Sequence, residues 1–152
     1  MGLPLAMRAV QVGDDVTGFD VAADRVATLA DGRSHVGDVT DTEVADALAS
    51  GRYRPTDDVQ SLDMLDVAII TVPTPLTDGV PDLTYIEQAA DALGPLVSPG
   101  CLVVLESTTY PGTTDELLAP ALEAHSGLEA GVDFHVGYSP ERLDPGNTCL
   151  LY

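Results

Sequence analysis

Short apolar runs rich in β-branched residues alternate along the chain with stretches where apolar positions recur every three or four residues. Val16-Thr17-Gly18-Phe19-Asp20 predicts a short strand that ends in an acid. Val67-Ala68-Ile69-Ile70-Thr71-Val72 and Cys101-Leu102-Val103-Val104-Leu105 predict strands buried on both faces. Phe134-His135-Val136-Gly137-Tyr138 predicts a weaker strand, and Tyr53 to Thr56 an edge strand. The helices expected between them share a start signal. Thr40 with Glu43, Thr84 with Glu87 and Thr113 with Glu116 each fit a capping box, in which hydroxyl and carboxylate satisfy orphan backbone N–H groups. Pro99-Gly100 and Pro111-Gly112 punctuate the pattern. No internal repeat or low-complexity linker interrupts it. Strands alternating with helices point to a parallel α/β sheet.

The start of the pattern is unusual. A doubly wound domain opens with a buried strand, then a glycine-rich turn, then a helix. This chain opens at Met1-Gly2-Leu3-Pro4-Leu5-Ala6, already inside turn and helix. Asp20 falls 18 positions after Gly2, close to the roughly 20-residue interval between a dinucleotide fingerprint and its ribose-binding acid. On these two residues alone, a helix start and a strand-end turn acid are favoured over a nucleotide site.

Composition narrows the partners. The 152 residues include 25 acidic and 6 basic ones, all arginine, for a formal net charge of −19. Such a surface repels phosphate backbones and anionic headgroups, so nucleic acids and membrane surfaces are poor partners. Nucleotide ligands stay open, because loops and helix ends hold them locally. The 45% hydrophobic share suits a packed domain rather than an acidic disordered tail. No run approaches the roughly 20 apolar residues of a membrane span, and no signal peptide is visible. Cys101 and Cys149 form no CxxC pair, and His35, His125 and His135 lack ligand spacing. A cytoplasmic, reduced, metal-free protein is the expectation.

Four linked motifs are more specific. Val72-Pro73-Thr74-Pro75-Leu76, Pro81-Asp82-Leu83-Thr84-Tyr85-Ile86, Glu106-Ser107-Thr108-Thr109-Tyr110-Pro111-Gly112-Thr113-Thr114 and Ser139-Pro140-Glu141-Arg142 with Pro145-Gly146-Asn147 follow in order. Together they resemble the N-terminal domain of the UDP-glucose/GDP-mannose dehydrogenase family of nucleotide-sugar 6-dehydrogenases. Ser-Pro-Glu-Arg followed by Pro-Gly is most similar to the branch acting on UDP-N-acetylglucosamine or UDP-N-acetylmannosamine. The resemblance runs from Gly2 to about Asn147. It implies a Rossmann-type doubly wound parallel sheet, here without its first strand, over residues 1–147, with 148–152 a divergent tail. It also implies oxidation of a sugar C6 alcohol to a carboxylate with NAD as cofactor and a UDP-sugar as substrate.

Site residues follow from the resemblance. Gly2 matches the last glycine of the family's turn near the pyrophosphate. Asp20 would accept hydrogen bonds from the adenosine ribose, with Arg25 beside it; a solvated helix arginine is an equal reading of Arg25. Val72, Pro73 and Thr74 would line the cofactor at a strand's carboxyl end, where a rigid turn is the bland alternative. Ser107 and Thr108 would do the same, with Thr108 near the nicotinamide and the reacting oxygen; strand-end hydroxyls also satisfy backbone groups. Glu141 would be the acid/base that assists water attack on a thioester intermediate. Arg142 would hold the substrate, and an exposed ion pair is the competing reading of these two.

Other family components are not found in the sequence: the first strand with its leading glycines, the Lys/Asn catalytic pair, the dimer-forming helical segment and the nucleophilic cysteine. Met1 stands where the family has valine, so the natural chain is expected to start upstream, and the full-length enzyme to be a homo-oligomer. Alone, this chain is expected to fold poorly and to turn over no UDP-sugar. A catalytically inactive nucleotide-binding fragment or pseudogene product is the alternative.

Overall fold

A computed structural model of the chain describes residues 1–62, 65–77 and 79–140. The chain divides into two compact units, one ending at Asp63 and the other beginning at Met64.

The first unit opens with helix α1 (Gly2–Val12). Pro4 sits in its first turn, where a missing N–H costs no intrahelical bond. Gly13, with φ 110°, ends it in the left-handed region, donating its N–H to the carbonyls of Ala9 and Val10. Strand β1 (Val16–Phe19), helix α2 (Ala23–Ala30), helix α3 (Asp41–Ala49) and strand β2 (Tyr53–Thr56) follow. The capping box at Thr40 forms: Glu43 N–H donates to the Thr40 hydroxyl at 3.2 Å and Thr40 N–H to the Glu43 carboxylate at 2.8 Å. The Thr40 N–H, and the Thr40 hydroxyl donating to the same carboxylate at 2.8 Å, hold the Glu43 carboxyl below its ordinary pKa. β1 and β2 run parallel, with Val16 opposite Tyr53 and Phe19 opposite Thr56. Leu3, Met7, Leu29, Val39, Val44, Ala47 and Tyr53 form the core.

The second unit carries strand β3 (Val67–Ile70), a small hairpin of β4 (Leu76–Thr77) and β5 (Val80–Pro81), helix α4 (Thr84–Leu93), strand β6 (Leu102–Leu105), helix α5 (Ala119–Ser126) and strand β7 (His135–Tyr138). β3, β6 and β7 form a parallel sheet in that order, with Val67 opposite Leu102 and Leu102 opposite His135. Its core joins Ala68, Ile70, Val103 and Leu105 of the strands to Ile86, Ala90, Leu118, Leu122 and Phe134. At these burial levels each large side chain stabilises by about 1.5–3 kcal/mol.

Several expectations need correction. β3 is not buried on both faces: Ala68 and Ile70 are buried, while Val67 and Ile69 are 51% and 44% exposed. An all-apolar run carries no alternation from which to read a bare face. The expected box at Thr84 does not form either. Thr84 N–H donates to the Asp82 carboxylate at 3.0 Å, so an acid two residues earlier takes the role assigned to the Thr84–Glu87 pair. Nor does Thr113 cap a helix: its hydroxyl donates to the Tyr110 carbonyl at 2.9 Å, and Thr114–Leu118 winds as a π-turn before α5. Pro120 explains the wide turn, since it has no N–H to give the Glu116 carbonyl an α-type bond.

Candidate cofactor site

In the first unit the candidate residues lie at the carboxyl end of β1 and in the helices beside it. Gly2 begins α1 and is partly buried. Asp20 follows the last residue of β1, and its N–H donates to the Thr56 carbonyl at 3.1 Å, one step beyond the ladder. One carboxylate oxygen, Oδ1, accepts the Ala22 N–H at 2.8 Å. The other, Oδ2, accepts Arg25 Nη1 at 2.9 Å. Asp20 therefore turns the chain into α2 and pairs with that helix's first-turn arginine. The Asp20 side chain stays 29% exposed. An ionised carboxylate offers about four acceptor positions, so two remain for a pair of adjacent ribose hydroxyls. The residues present fit a ribose.

A residue missed in the sequence feels the charge of Asp20. Tyr53, on β2, is buried, and its ring lies over Gly18 of β1. A Cβ at Gly18 would meet the Tyr53 hydroxyl at 2.7 Å, so the absence of a side chain there admits the ring. Burial, and then the negative charge of Asp20, push the Tyr53 phenol up to about 12. The signal was a glycine two positions before the strand-end acid with an aromatic residue on the facing strand.

In the second unit the candidates occupy the loops after β3 and β6, at the carboxyl edge of the sheet. The ladder extends one step as Glu106 N–H donates to the Ile70 carbonyl at 2.9 Å. Beyond it, two side chains tie the loops together in opposite directions. Ser107, only 2% exposed, donates its hydroxyl to the Val72 carbonyl at 2.6 Å. Thr74 donates its hydroxyl to the Thr108 carbonyl at 2.8 Å. Each loop thus supplies a donor to the backbone of the other. Pro73 and Thr108 are exposed, and Val72 and Thr74 partly so. Pro73 and Pro75 restrict φ in the first loop, and the two cross-bonds fix it against the second. Glu141, Arg142 and the 148–152 tail lie outside the described residues.

Parallel strands joined by helices, with an acid at the first strand's carboxyl end, define a Rossmann-like nucleotide-binding architecture. Comparisons with known proteins agree. Residues 1–150 match the NAD binding domain of the UDP-glucose/GDP-mannose dehydrogenase family, and the chain belongs to that family. UDP-N-acetyl-D-mannosamine dehydrogenase from Pyrococcus horikoshii is 38% identical over 96% of this chain and 35% of that protein. UDP-N-acetyl-D-glucosamine 6-dehydrogenase from Pseudomonas aeruginosa is 39% identical over 97% of this chain and 34% of its own length. Among solved structures, the Pyrococcus horikoshii UDP-D-ManNAc dehydrogenase superposes with a TM-score of 0.90 at 38% identity, covering 95% of this chain and 35% of that one. A ternary complex of GDP-mannose dehydrogenase from Pseudomonas aeruginosa superposes with a TM-score of 0.83 at 32% identity, covering 92% and 34%. The chain thus spans about a third of the length of these relatives. No helix among the described residues is long and apolar enough to cross a membrane.

Proposed function

We propose that this chain supplies the NAD site of a nucleotide-sugar 6-dehydrogenase, which oxidises the C6 alcohol of a UDP-N-acetylhexosamine to the uronic acid. The observation that carries the reading is the half-open Asp20 carboxylate at the end of β1, in a chain that matches the family's NAD binding domain. Asp20 accepts the adenosine ribose hydroxyls, and its charge disfavours the 2′-phosphate of NADP. Gly2 keeps the start of α1 clear of side-chain atoms near the pyrophosphate. Val72, Pro73 and Thr74 line the cofactor. Ser107 holds that loop to the next, and Thr108 presents its hydroxyl towards the reacting oxygen. NAD, when bound, accepts hydride from the sugar carbon. Glu141 moves the proton and Arg142 holds the substrate, both as the family resemblance implies. UDP-N-acetylmannosamine and UDP-N-acetylglucosamine are the favoured substrates, after the names of the relatives above.

Titration calorimetry of the enzyme that contains this chain, with NAD+ and NADP+, tests the cofactor half of this reading. NAD+ binding that an Asp20→Ala variant weakens is expected. Equal affinity for both cofactors, or for wild type and variant, would reject it. The substrate half is read by NADH formation with a panel of UDP-sugars in the enzyme that contains this chain, where Glu141→Gln should abolish turnover while NAD+ binding persists.

A further inference from the structure

We propose that Arg25 is a latent receptor for a 2′-phosphate, held closed by Asp20, so that Asp20 sets cofactor choice by occupying this guanidinium as well as by repelling the phosphate. The inference rests on the placement of the adenosine ribose at Asp20 argued above. Among the described residues, the bond from Nη1 to Asp20 Oδ2, at 2.9 Å, is the ion pair that Arg25 makes. Its side chain is 57% exposed, so a ligand can reach it from solvent beside Asp20. A guanidinium has five N–H donors in a planar fork suited to bidentate phosphate binding. In dinucleotide folds the two chemistries alternate at this position: an acid accepts the 2′-hydroxyl, or a nearby arginine accepts the 2′-phosphate. Here both groups are present and bonded to each other.

The other arginines of the first unit are engaged elsewhere: Arg8 with Gln11, Arg33 with Asp31, Arg52 with the Gly13 carbonyl and Asp15, and Arg54 with the Ser61 carbonyl. Arg25 is the one bonded to the ribose acid. Its anchor is also separable from the turn that Asp20 makes. Oδ1 serves the Ala22 N–H and Oδ2 serves Arg25, so a neutral isostere can keep the first bond and give up the second. The Tyr53 phenol, whose pKa burial and the Asp20 charge push up to about 12, carries no charge at neutral pH and therefore does not compete for the guanidinium.

The probe is adenosine 2′,5′-bisphosphate, with 5′-AMP as the ligand lacking the 2′-phosphate, each titrated into the enzyme that contains this chain, as wild type, as Asp20→Asn, and as Asp20→Asn with Arg25→Gln. A charge-assisted pair of hydrogen bonds predicts that Asp20→Asn binds the bisphosphate about tenfold more tightly than wild type. The double variant should lose most of that gain, and 5′-AMP should show no matching increase. A gain that survives Arg25→Gln would overturn the proposal, leaving charge repulsion as the whole effect. No gain in Asp20→Asn would overturn it as well. Asp20→Ser, whose hydroxyl can still accept the Ala22 N–H, repeats the measurement if the amide disturbs folding. NAD+ binding by the wild type is measured in parallel. Its absence would count against the ribose placement, whereas NAD+ binding without an Arg25-dependent gain counts only against the latent receptor.

Discussion

Ser107→Ala isolates what the paired loops contribute. The substitution deletes one oxygen, and with it a 2.6 Å bond from a buried hydroxyl to the Val72 carbonyl. Almost no volume is lost, so the cost is that of a carbonyl deprived of its donor in a partly buried position, about 1–2 kcal/mol. For a chain of this size that lowers Tm by a few degrees, at about 2–4 °C per kcal/mol. Between the two loops the Thr74 bond to the Thr108 carbonyl then remains. In the proposed cofactor site NAD+ would have to order the loosened loop, and fixing one backbone residue costs about 1–2 kcal/mol, so the Kd should rise about tenfold. Val103→Ala is the control. Val103 is fully buried on β6, and its truncation lowers stability by a similar or larger amount without touching either loop. Calorimetric titration with NAD+, alongside urea unfolding of both variants, separates the effects. Equal Kd values for Ser107→Ala and Val103→Ala would show that the Ser107 bond does not order the loop for NAD+. So would a cycle with Thr74→Val in which the two losses simply add, because bonds that restrain the same two loops should couple.

Two further outcomes follow from the geometry. Gly94→Ala would drive a Cβ into the His125 Cβ of α5, beneath the His125–Asp91 contact at 2.9 Å, so urea unfolding should show a loss of about 1–3 kcal/mol. Tyr53 makes stability alkali-sensitive. Its folded pKa, about 12, lies above the ordinary 10.0, so the folded state holds the proton longer than the unfolded one. Stability is therefore unaffected below pH 10 and falls as pH rises towards 12; Tyr53→Phe should flatten that part of the urea-midpoint profile, and an unchanged profile would argue against a buried phenol.

Which features were legible in the sequence follows from the range of the interactions involved. All five expected strands are present, because a run such as Leu102–Leu105 needs a buried slot wherever it is placed. The Thr40 box was legible because both partners lie within four residues. The starts at Thr84 and Thr113 were misread because competitors outside the motif, Asp82 and Pro120, decide those turns. The strand-end position of Asp20 was visible in its spacing, but its bond to Arg25 was not. The hydroxyls were harder still. Ser107 and Thr74 each bond a backbone carbonyl more than thirty residues away, and a carbonyl leaves no mark in an amino-acid alphabet.

The fit of Tyr53 over Gly18 also constrains the order in which this fold can diverge. Any side chain gained first at Gly18 meets a hydroxyl at 2.7 Å and ring carbons at 3.1 and 3.2 Å. A smaller residue gained first at Tyr53 opens a void in the core of the first unit. Each single step is a loss, yet the two together restore the volume. Descendants that leave this pairing must therefore cross a less stable intermediate or change both positions at once, while the acid beside them is free to be retuned. Stability margin elsewhere in the chain, rather than the cofactor, would then decide when that exchange becomes possible.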